Sequence, residues 1–296
     1  MKIEKAYYWP YWFTSSCPET KKQLKSKKFS QLYGQGQIYL WRALNIYDDF
    51  LDGSGKAIEL PRANDYFRRF LKILYQSKLS PETLKNFEAV IIDLEKCNQE
   101  EVRQSTLRKT KRGWKVPTRI PDFSNLTRLS RKSLTLAIMP ICCCIKINPG
   151  LNLAQQEKQL EFFRIALAAK QLADDAADWM EDLLAGKITP ATSLIIKATQ
   201  KQKIKLNLEN NPTQLHPIFI SSAGQQLAHN ILILCHLARQ QAIKCGISST
   251  APILQELLRP LEKNANCSLD CYQDKRMGKK MIGQTEGWAE LKDGPN

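Results

Sequence analysis

Two short stretches of the chain repeat the spacing Asp-Asp-x-x-Asp. The first stretch contains Asp48, Asp49 and Asp52, and the second contains Asp174, Asp175, Asp178, Glu181 and Asp182. An α-helix turns by about 100° per residue, so the carboxylates of each stretch fall within an arc of about 100–120° on one helical face. Hard oxygen ligands of this kind are the ones that Mg²⁺ prefers in proteins.

Carboxylates that share a helical face repel one another, so each stripe is unfavourable without cations. Mg²⁺ typically uses one or two protein carboxylates together with substrate phosphate oxygens and water. We therefore predict two acidic helices that hold a diphosphate through bridging Mg²⁺. The predicted metal ligands are Asp48, Asp52, Asp174, Asp178, Glu181 and Asp182. The predicted catalytic residues are Asp48, Asp49, Asp52, Asp174, Asp175 and Asp178.

Basic residues outnumber acidic ones and give a formal net charge of +15. Such an excess favours an anionic partner. The candidates are a phosphorylated substrate, an acidic membrane surface and nucleic acid. The sequence contains no zinc-finger spacing and no RNP-like aromatic box, so we expect no nucleic-acid partner. The candidates for binding the diphosphate are Arg42, Lys56, Arg131, Lys132 and Lys187.

The elements that must position these residues are helical almost throughout. Predicted helices cover residues 35–51, 64–77, 81–98, 125–146, 155–185, 192–199, 223–245 and 251–267. The first aspartate stretch ends the helix over 35–51, which Gly53-Ser54-Gly55 should stop, and the second lies near the end of the helix over 155–185, before Gly186. Apolar residues that include Leu172, Ala176, Ala177, Leu183 and Leu184 should form the opposite face of that helix.

The predicted fold class is all-α, in a single domain over residues 1–296. Residues 103–121 are rich in basic side chains and should form a loop or a weak helix, and residues 200–217 should form a polar connection. Residues 1–30 and 275–296 are expected to be loosely ordered. The aromatic residues near Trp9 and Trp12 are expected to pack on the core, with peripheral membrane contact as the alternative.

The chain contains nine cysteines but no Cys-x-x-Cys pair. Cys142, Cys143 and Cys144 are adjacent and would point in different directions from a helix, so they do not indicate a disulfide framework. We expect reduced thiols and a cytoplasmic protein. The longest apolar run, over 134–147, is shorter than the roughly 20 residues that span a membrane.

At its two aspartate stretches the chain resembles the class I isoprenoid synthase superfamily. The paired Asp-Asp-x-x-Asp sequences are similar to those of trans-prenyl diphosphate synthases, and Lys132-Ser133 is similar to a Lys-Thr pair that contacts diphosphate in that branch. The resemblance implies a helical bundle with a central active-site cavity, a Mg²⁺ cofactor and a prenyl diphosphate substrate. It also implies a homodimer, which is common among such proteins.

A second branch, the squalene and phytoene synthases, is also similar at these residues. Asp178-x-x-Glu181-Asp182 with the later Gly186-Lys187 resembles the second motif of that branch. The double arginine that follows the first motif in trans-prenyltransferases is absent, and the chain has Gly53-Ser-Gly-Lys56 there. Chain elongation and head-to-head coupling therefore both stay open.

Two further functions are compatible with the sequence. A class I terpene cyclase would use the same ionisation of the diphosphate but only one substrate. A basic helical protein that binds RNA or an anionic membrane would need no catalytic aspartates.

Overall fold

The computed structural model describes residues 3–17, 27–104, 106–110, 113–117, 120–204 and 215–273. The prediction of an all-α fold class is confirmed, since helices dominate these residues. The α-helices are α1 (Ile3–Tyr7), α2 (Trp9–Ser16), α3 (Lys27–Leu51), α4 (Leu60–Gln76), α5 (Pro81–Gln104), α6 (Ile138–Ile147), α7 (Leu153–Leu184), α8 (Pro190–Lys201), α9 (His216–Ile218), α10 (Gln225–Lys244), α11 (Pro252–Leu257) and α12 (Arg259–Gln273).

The remaining regular structure consists of short pieces. A β-hairpin pairs β1 (Arg108–Thr110) with β2 (Gly113–Lys115) in antiparallel register. Short 3₁₀ helices cover Ala57–Glu59, Leu126–Lys132 and Leu134–Ala137, and a π-helix covers Phe219–Gly224.

The chain divides into two compact units. Unit 1 comprises Met1–Asn98, Ser130–Leu167 and Leu237–Leu258, and unit 2 comprises Gln99–Leu129, Ala168–His236 and Arg259–Asn296. Helices α5, α7 and α10 contribute residues to both units, so the division does not decide between one domain and two. The single domain stays a prediction.

The core of unit 1 forms where α3 packs against α4 and α6. Leu40 and Ala43 of α3 and Phe70 of α4 are fully buried there. Asp49, six residues after Ala43, is exposed at the end of α3. Packing of the helix therefore anchors its middle and leaves its last turn in solvent.

The N-terminal residues belong to the core of unit 1. Trp9 and Phe13 of α2 are buried, and the ring of Phe13 lies 5.8 Å from that of Phe162 and 4.7 Å from that of Phe163. The prediction of a loosely ordered N-terminus is therefore wrong for residues 3–17, and the expectation that the aromatic residues pack on the core is confirmed for Trp9. The predicted loose C-terminus, over 275–296, lies outside the described residues.

The core of unit 2 contains a stack of aromatic rings. Trp179 of α7 lies parallel to Phe219, with ring centroids 4.7 Å apart. The edge of Tyr272 in α12 meets Phe219, and His216 meets Trp179 edge to face at 5.2 Å. Burial beside these rings lowers the pKa of the His216 imidazole.

Two predicted helices are shorter than expected because of prolines. Residues 125–146 form 3₁₀ turns before α6 begins at Ile138, since Pro140 cannot supply the amide for a hydrogen bond to Leu136 and its ring clashes with that carbonyl. Residues 251–267 form α11 and α12, which separate at Leu258, two residues before Pro260. Proline in the first turn of α6 and of α12 costs no hydrogen bond that the helix would otherwise make.

Residues 103–121 contain a β-hairpin, whereas we predicted a loop or a weak helix. Each strand has three residues, which is too short for apolar alternation to show in the sequence. Lys109 faces Trp114 in the register of the pair. The predicted polar connection over 200–217 lies largely outside the described residues, and α8 continues into it as far as Lys201.

One helical stretch among the described residues, His216–Lys244, is long enough and apolar enough to cross a membrane. It joins α9, the π-helix and α10, and half of its most apolar window is buried inside the protein. A core helix of a globular protein can have the same length and apolar composition.

Candidate functional site

The first aspartate segment ends α3 in unit 1. Asp48 and Asp49 lie in its last turn, and Asp52 follows immediately after Leu51. Gly53 has a φ of 77°, and the amides of Ser54 and Gly55 donate to the Asp49 carbonyl at 3.0 and 2.6 Å. The predicted helix stop is therefore confirmed. All three aspartates are exposed.

Negative charge at this place is unfavourable, because the C-terminal end of a helix carries partial negative charge. Lys132, the last residue of the turn Leu126–Lys132, places its Nζ 2.9 Å from Oδ1 of Asp48. The lysine side chain is 24% exposed and the aspartate side chain 50%. The structure thus brings together a predicted diphosphate ligand and a predicted metal ligand.

The other predicted diphosphate ligands of unit 1 have different neighbours. Arg131 donates from Nε to both carboxylate oxygens of Asp93, each at 3.0 Å, and its Nη2 lies 2.8 Å from Oδ1. The guanidinium of Arg42 lies over the ring of Tyr66, 5.5 Å from its centroid. Lys56 is exposed and occupies the N-cap position of the 3₁₀ helix Ala57–Glu59.

The second aspartate segment lies within α7 in unit 2, where it is less exposed than the first. Asp175 is only 6% exposed, and Gln171 Nε2 donates to its Oδ1 at 3.0 Å. Lys170 forms an ion pair with Asp174 one turn further along the helix. Asp178 and Asp182 are half-buried, whereas Glu181 is exposed.

The opposite face of this part of α7 is only partly as predicted. Leu172 and Leu183 are buried, but Ala177 and Leu184 are exposed, so their assignment to the apolar face is wrong. The buried positions follow one another at three or four residues, and Asp175 falls into that series. The carboxylate stripe therefore reaches from solvent onto the buried side of the helix.

The end of the second segment is fixed by close packing. Gly186 has a φ of 79°, which is the predicted stop. Its carbonyl accepts a hydrogen bond of 2.6 Å from the Leu107 amide, and a Cβ at Gly186 would lie 2.9 Å from the ring of Trp114. Lys187 follows directly, and its Nζ lies 3.9 Å from Oδ1 of Asp182.

The donor chemistry of the two segments suits one kind of metal. Across the described ranges, no three His, Cys, Asp or Glu side chains are arranged to hold a metal ion together. Mg²⁺ fits the two segments, because one or two carboxylates suffice when phosphate oxygens and water complete its shell.

Some contacts at these segments were not predicted. Lys170 precedes Asp174 by four residues, so the spacing that pairs charges along a helix would have identified it. Asp93 and Arg131 are 38 residues apart, and no local pattern relates them. The same is true of Lys132 and Asp48.

Compared with known proteins, the chain matches no family model, no curated protein and no solved structure. The resemblance to class I isoprenoid synthases consequently depends on the aspartate segments and on their basic neighbours.

Proposed function

We propose that the chain is a Mg²⁺-dependent prenyltransferase that ionises an allylic prenyl diphosphate at its aspartate segments. The transfer would be chain elongation or coupling of the squalene and phytoene type. A terpene cyclase, which uses one prenyl diphosphate, is the alternative within the same chemistry. The proposal includes a cytoplasmic location and a homodimer.

The observation that carries the proposal is the contact between Lys132 and Asp48. A site for a metal-bound diphosphate needs carboxylates for the metal and ammonium groups for the phosphate oxygens, close to one another. Lys132 Nζ lies 2.9 Å from Asp48 Oδ1, so both kinds of group are present at one point of unit 1. Lys170 with Asp174 and Lys187 with Asp182 repeat that combination in unit 2.

The acidic residues would bind the metal, and the basic residues would bind the diphosphate. Asp48 and Asp52 would hold Mg²⁺ in unit 1, and Asp174 and Asp178 would hold Mg²⁺ in unit 2, and the metal would supply a Lewis acid for the diphosphate. Lys132 and Lys187 would donate hydrogen bonds to diphosphate oxygens as negative charge builds up on the leaving group. Asp175 would orient its neighbours, because Gln171 holds it on the buried side of α7.

The test is an assay of product formation and diphosphate release. Purified protein with Mg²⁺ is incubated with farnesyl or geranylgeranyl diphosphate, each with and without isopentenyl diphosphate. A longer prenyl diphosphate that needs isopentenyl diphosphate would establish chain elongation. A hydrocarbon formed from the allylic substrate alone would establish coupling or cyclisation.

Isosteric variants connect the activity to the aspartates. We expect Asp48→Asn and Asp174→Asn to lower turnover by about a thousandfold or more, because each removes a charge that the metal requires. Glu88→Gln, at an exposed position of α5 in unit 1, should leave turnover unchanged. Normal turnover in both aspartate variants, or no diphosphate release by the unmodified protein, would refute the proposal.

A second candidate is a basic binding protein, and an arginine–tyrosine surface on α3 and α4 favours it. Tyr39 and Tyr66 are stacked with ring centroids 6.1 Å apart. Arg42 and Arg62 lie over Tyr66 at 5.5 and 5.6 Å, and Arg69 lies over Tyr39 at 5.7 Å. Arginines stacked on aromatic rings are a common means of binding single-stranded nucleic acid.

The two candidates differ in what destroys their function. For the binding protein, affinity for a single-stranded RNA oligonucleotide should fall steeply with salt. The logarithm of the binding constant, plotted against the logarithm of the salt concentration, should have a slope of about −0.7 for each phosphate neutralised. The Arg42→Ala/Arg62→Ala double variant should reduce that affinity, while Asp48→Asn should not. RNA affinity that is independent of salt and of both arginines would exclude this candidate.

A further inference from the structure

Two neighbouring residues at the end of the 3₁₀ helix Leu126–Lys132 each bind a carboxylate in unit 1. Arg131 donates from Nε to both oxygens of Asp93 at 3.0 Å, and its Nη2 lies 2.8 Å from Oδ1. Lys132 places its Nζ 2.9 Å from Oδ1 of Asp48. A 3₁₀ helix has three residues per turn, so successive side chains are about 120° apart. The two cations therefore reach different helices, α5 and α3.

The contact at Asp93 is the firmer of the two. The side chain of Arg131 is 14% exposed, and its planar guanidinium binds the carboxylate through two nitrogens, which fixes the geometry of the pair. Lys132 carries a compact charge on a flexible stem, and the side chain of its partner Asp48 is 50% exposed. Such an ion pair contributes little by itself. The position of the lysine therefore depends on what holds its backbone.

Both sides of the firmer contact belong to segments that are fixed in the core of unit 1. Asp93 lies on α5 between Val90 and Leu94, which are both buried. Ser130, which directly precedes Arg131, is only 1% exposed. The contact between the guanidinium and the carboxylate thus joins the end of the 3₁₀ helix to a packed face of α5. Neither segment can shift without breaking a charge-assisted hydrogen bond or exposing core residues.

We propose that Asp93 and Arg131 are positioning residues of the diphosphate site, which hold Lys132 at Asp48 without touching the substrate themselves. The inference rests on the proposed function, because the site that it describes is the diphosphate site of unit 1. Arg131, a diphosphate ligand in the sequence prediction, acts in this arrangement through the lysine that follows it. Asp93 lies outside both aspartate segments, so the spacing of the acidic residues does not indicate it.

Chemical labelling of Lys132 tests the positioning without any substrate. Acetylation by an N-hydroxysuccinimide ester is slower at a lysine that a carboxylate holds, and peptide mass spectrometry measures its rate. We expect Asp93→Asn to raise the labelling rate of Lys132 about threefold or more, and to leave that of Lys146, exposed on α6, unchanged. Glu88→Gln, exposed on α5, removes the same charge and should change neither rate. An unchanged rate at Lys132 in the Asp93→Asn variant would overturn the positioning.

Turnover tests whether the positioning serves the reaction. Asp93→Asn should lower kcat about tenfold or more in the unmodified background. It should lower kcat no further in the Lys132→Met background, because both changes remove the same contact. A pair that only stabilises the fold would lower kcat by the same factor in both backgrounds, and that result would overturn the inference. No turnover by the unmodified protein would refute the proposed function, whereas the labelling decides separately whether Asp93 holds Lys132.

Two conservative variants protect the test against loss of the fold, because neither leaves a half-buried charge without a partner. Asp93→Glu keeps a carboxylate opposite the guanidinium and should keep the labelling rate of Lys132 within about twofold of the unmodified rate. Arg131→Lys keeps the positive charge but loses the paired hydrogen bonds, so it should raise that rate as Asp93→Asn does. A rate that Arg131→Lys leaves unchanged would contradict the proposal. Circular dichroism spectra confirm that each variant is folded.

Discussion

Asp49 and Asp175 occupy the same place in two copies of one spacing, but their surroundings differ. Asp49 is exposed in the last turn of α3, where a helix disfavours negative charge. Asp175 is 6% exposed within α7 and accepts a hydrogen bond from Gln171. An identical pattern of residues therefore supports a solvent-facing carboxylate in one unit and a packed carboxylate in the other.

The difference shows what helical spacing determines. Spacing decides which side chains share a face, since the turn per residue is constant. The depth of that face depends on what packs beside it, and Trp179, stacked on Phe219, holds this part of α7 in the core of unit 2. Changes at equivalent positions of the two segments should therefore have unequal effects on stability.

The largest loss of stability is expected at the glycines that end the segments. Gly53→Ala places an alanine at a φ of 77° with nothing within 4 Å, so it should cost about 1–2 kcal/mol. Gly186→Ala meets the same penalty at a φ of 79° and also brings a Cβ to 2.9 Å from the Trp114 ring. We expect Gly186→Ala to lower the free energy of unfolding by about 2–4 kcal/mol, as measured by urea denaturation.

A double variant identifies the source of the extra cost. Trp114→Leu removes the ring that a Cβ at Gly186 would meet at 2.9 Å, so adding Gly186→Ala to it should cost less than Gly186→Ala costs in the unmodified background. Equal effects of Gly186→Ala and Gly53→Ala in the unmodified background would contradict the crowding at Gly186.

A smaller loss of stability is expected at the second aspartate of each pair. Asp175→Ala removes a buried acceptor and leaves the Gln171 amide without it, which should cost about 1–3 kcal/mol. Asp49→Ala removes an exposed charge from the C-terminal end of α3 and should change the stability by no more than about 0.5 kcal/mol. Chemical denaturation of both variants measures the two losses of stability. Equal losses would contradict the different burial of Asp49 and Asp175.

The smallest effects are expected at the lysines. Lys132→Met breaks the ion pair with Asp48, which is partly exposed, so the loss of stability should not exceed about 1 kcal/mol. Lys170→Met breaks a pair spaced by four residues along α7 and should cost about 0.3–0.5 kcal/mol. Both losses should shrink in 1 M salt, where charges are screened over about 3 Å. Losses that are unchanged by salt would point to packing of the lysine stems.

Much of the helical architecture follows from the sequence. The predicted helices over 35–51, 64–77, 81–98, 155–185, 192–199 and 223–245 correspond to α3, α4, α5, α7, α8 and α10. Long amphipathic segments and glycine stops carry enough local information for this. The prolines at 140 and 260 also carry local information, because they determine where α6 and α12 begin, but we did not predict that effect.

The rest depends on contacts between residues far apart in the chain. Burial of Asp175 and exposure of Leu184 depend on the partners of α7, which periodicity does not reveal. The strands of the hairpin are too short to show alternation. Lys132 was predicted to meet diphosphate from its resemblance to a family motif, but its contact with Asp48 spans more than eighty residues and leaves no local trace.

The π-helix at Phe219–Gly224 has a consequence for how the length of this chain can vary. A π-turn closes its hydrogen bond one residue later than an α-turn and so accommodates one additional residue. Loss of one residue there would convert the turn to α-helix while α10 keeps its orientation. A deletion within α7 would instead rotate every later side chain of that helix by about 100°. Among related chains, single-residue gaps should therefore concentrate at 219–224.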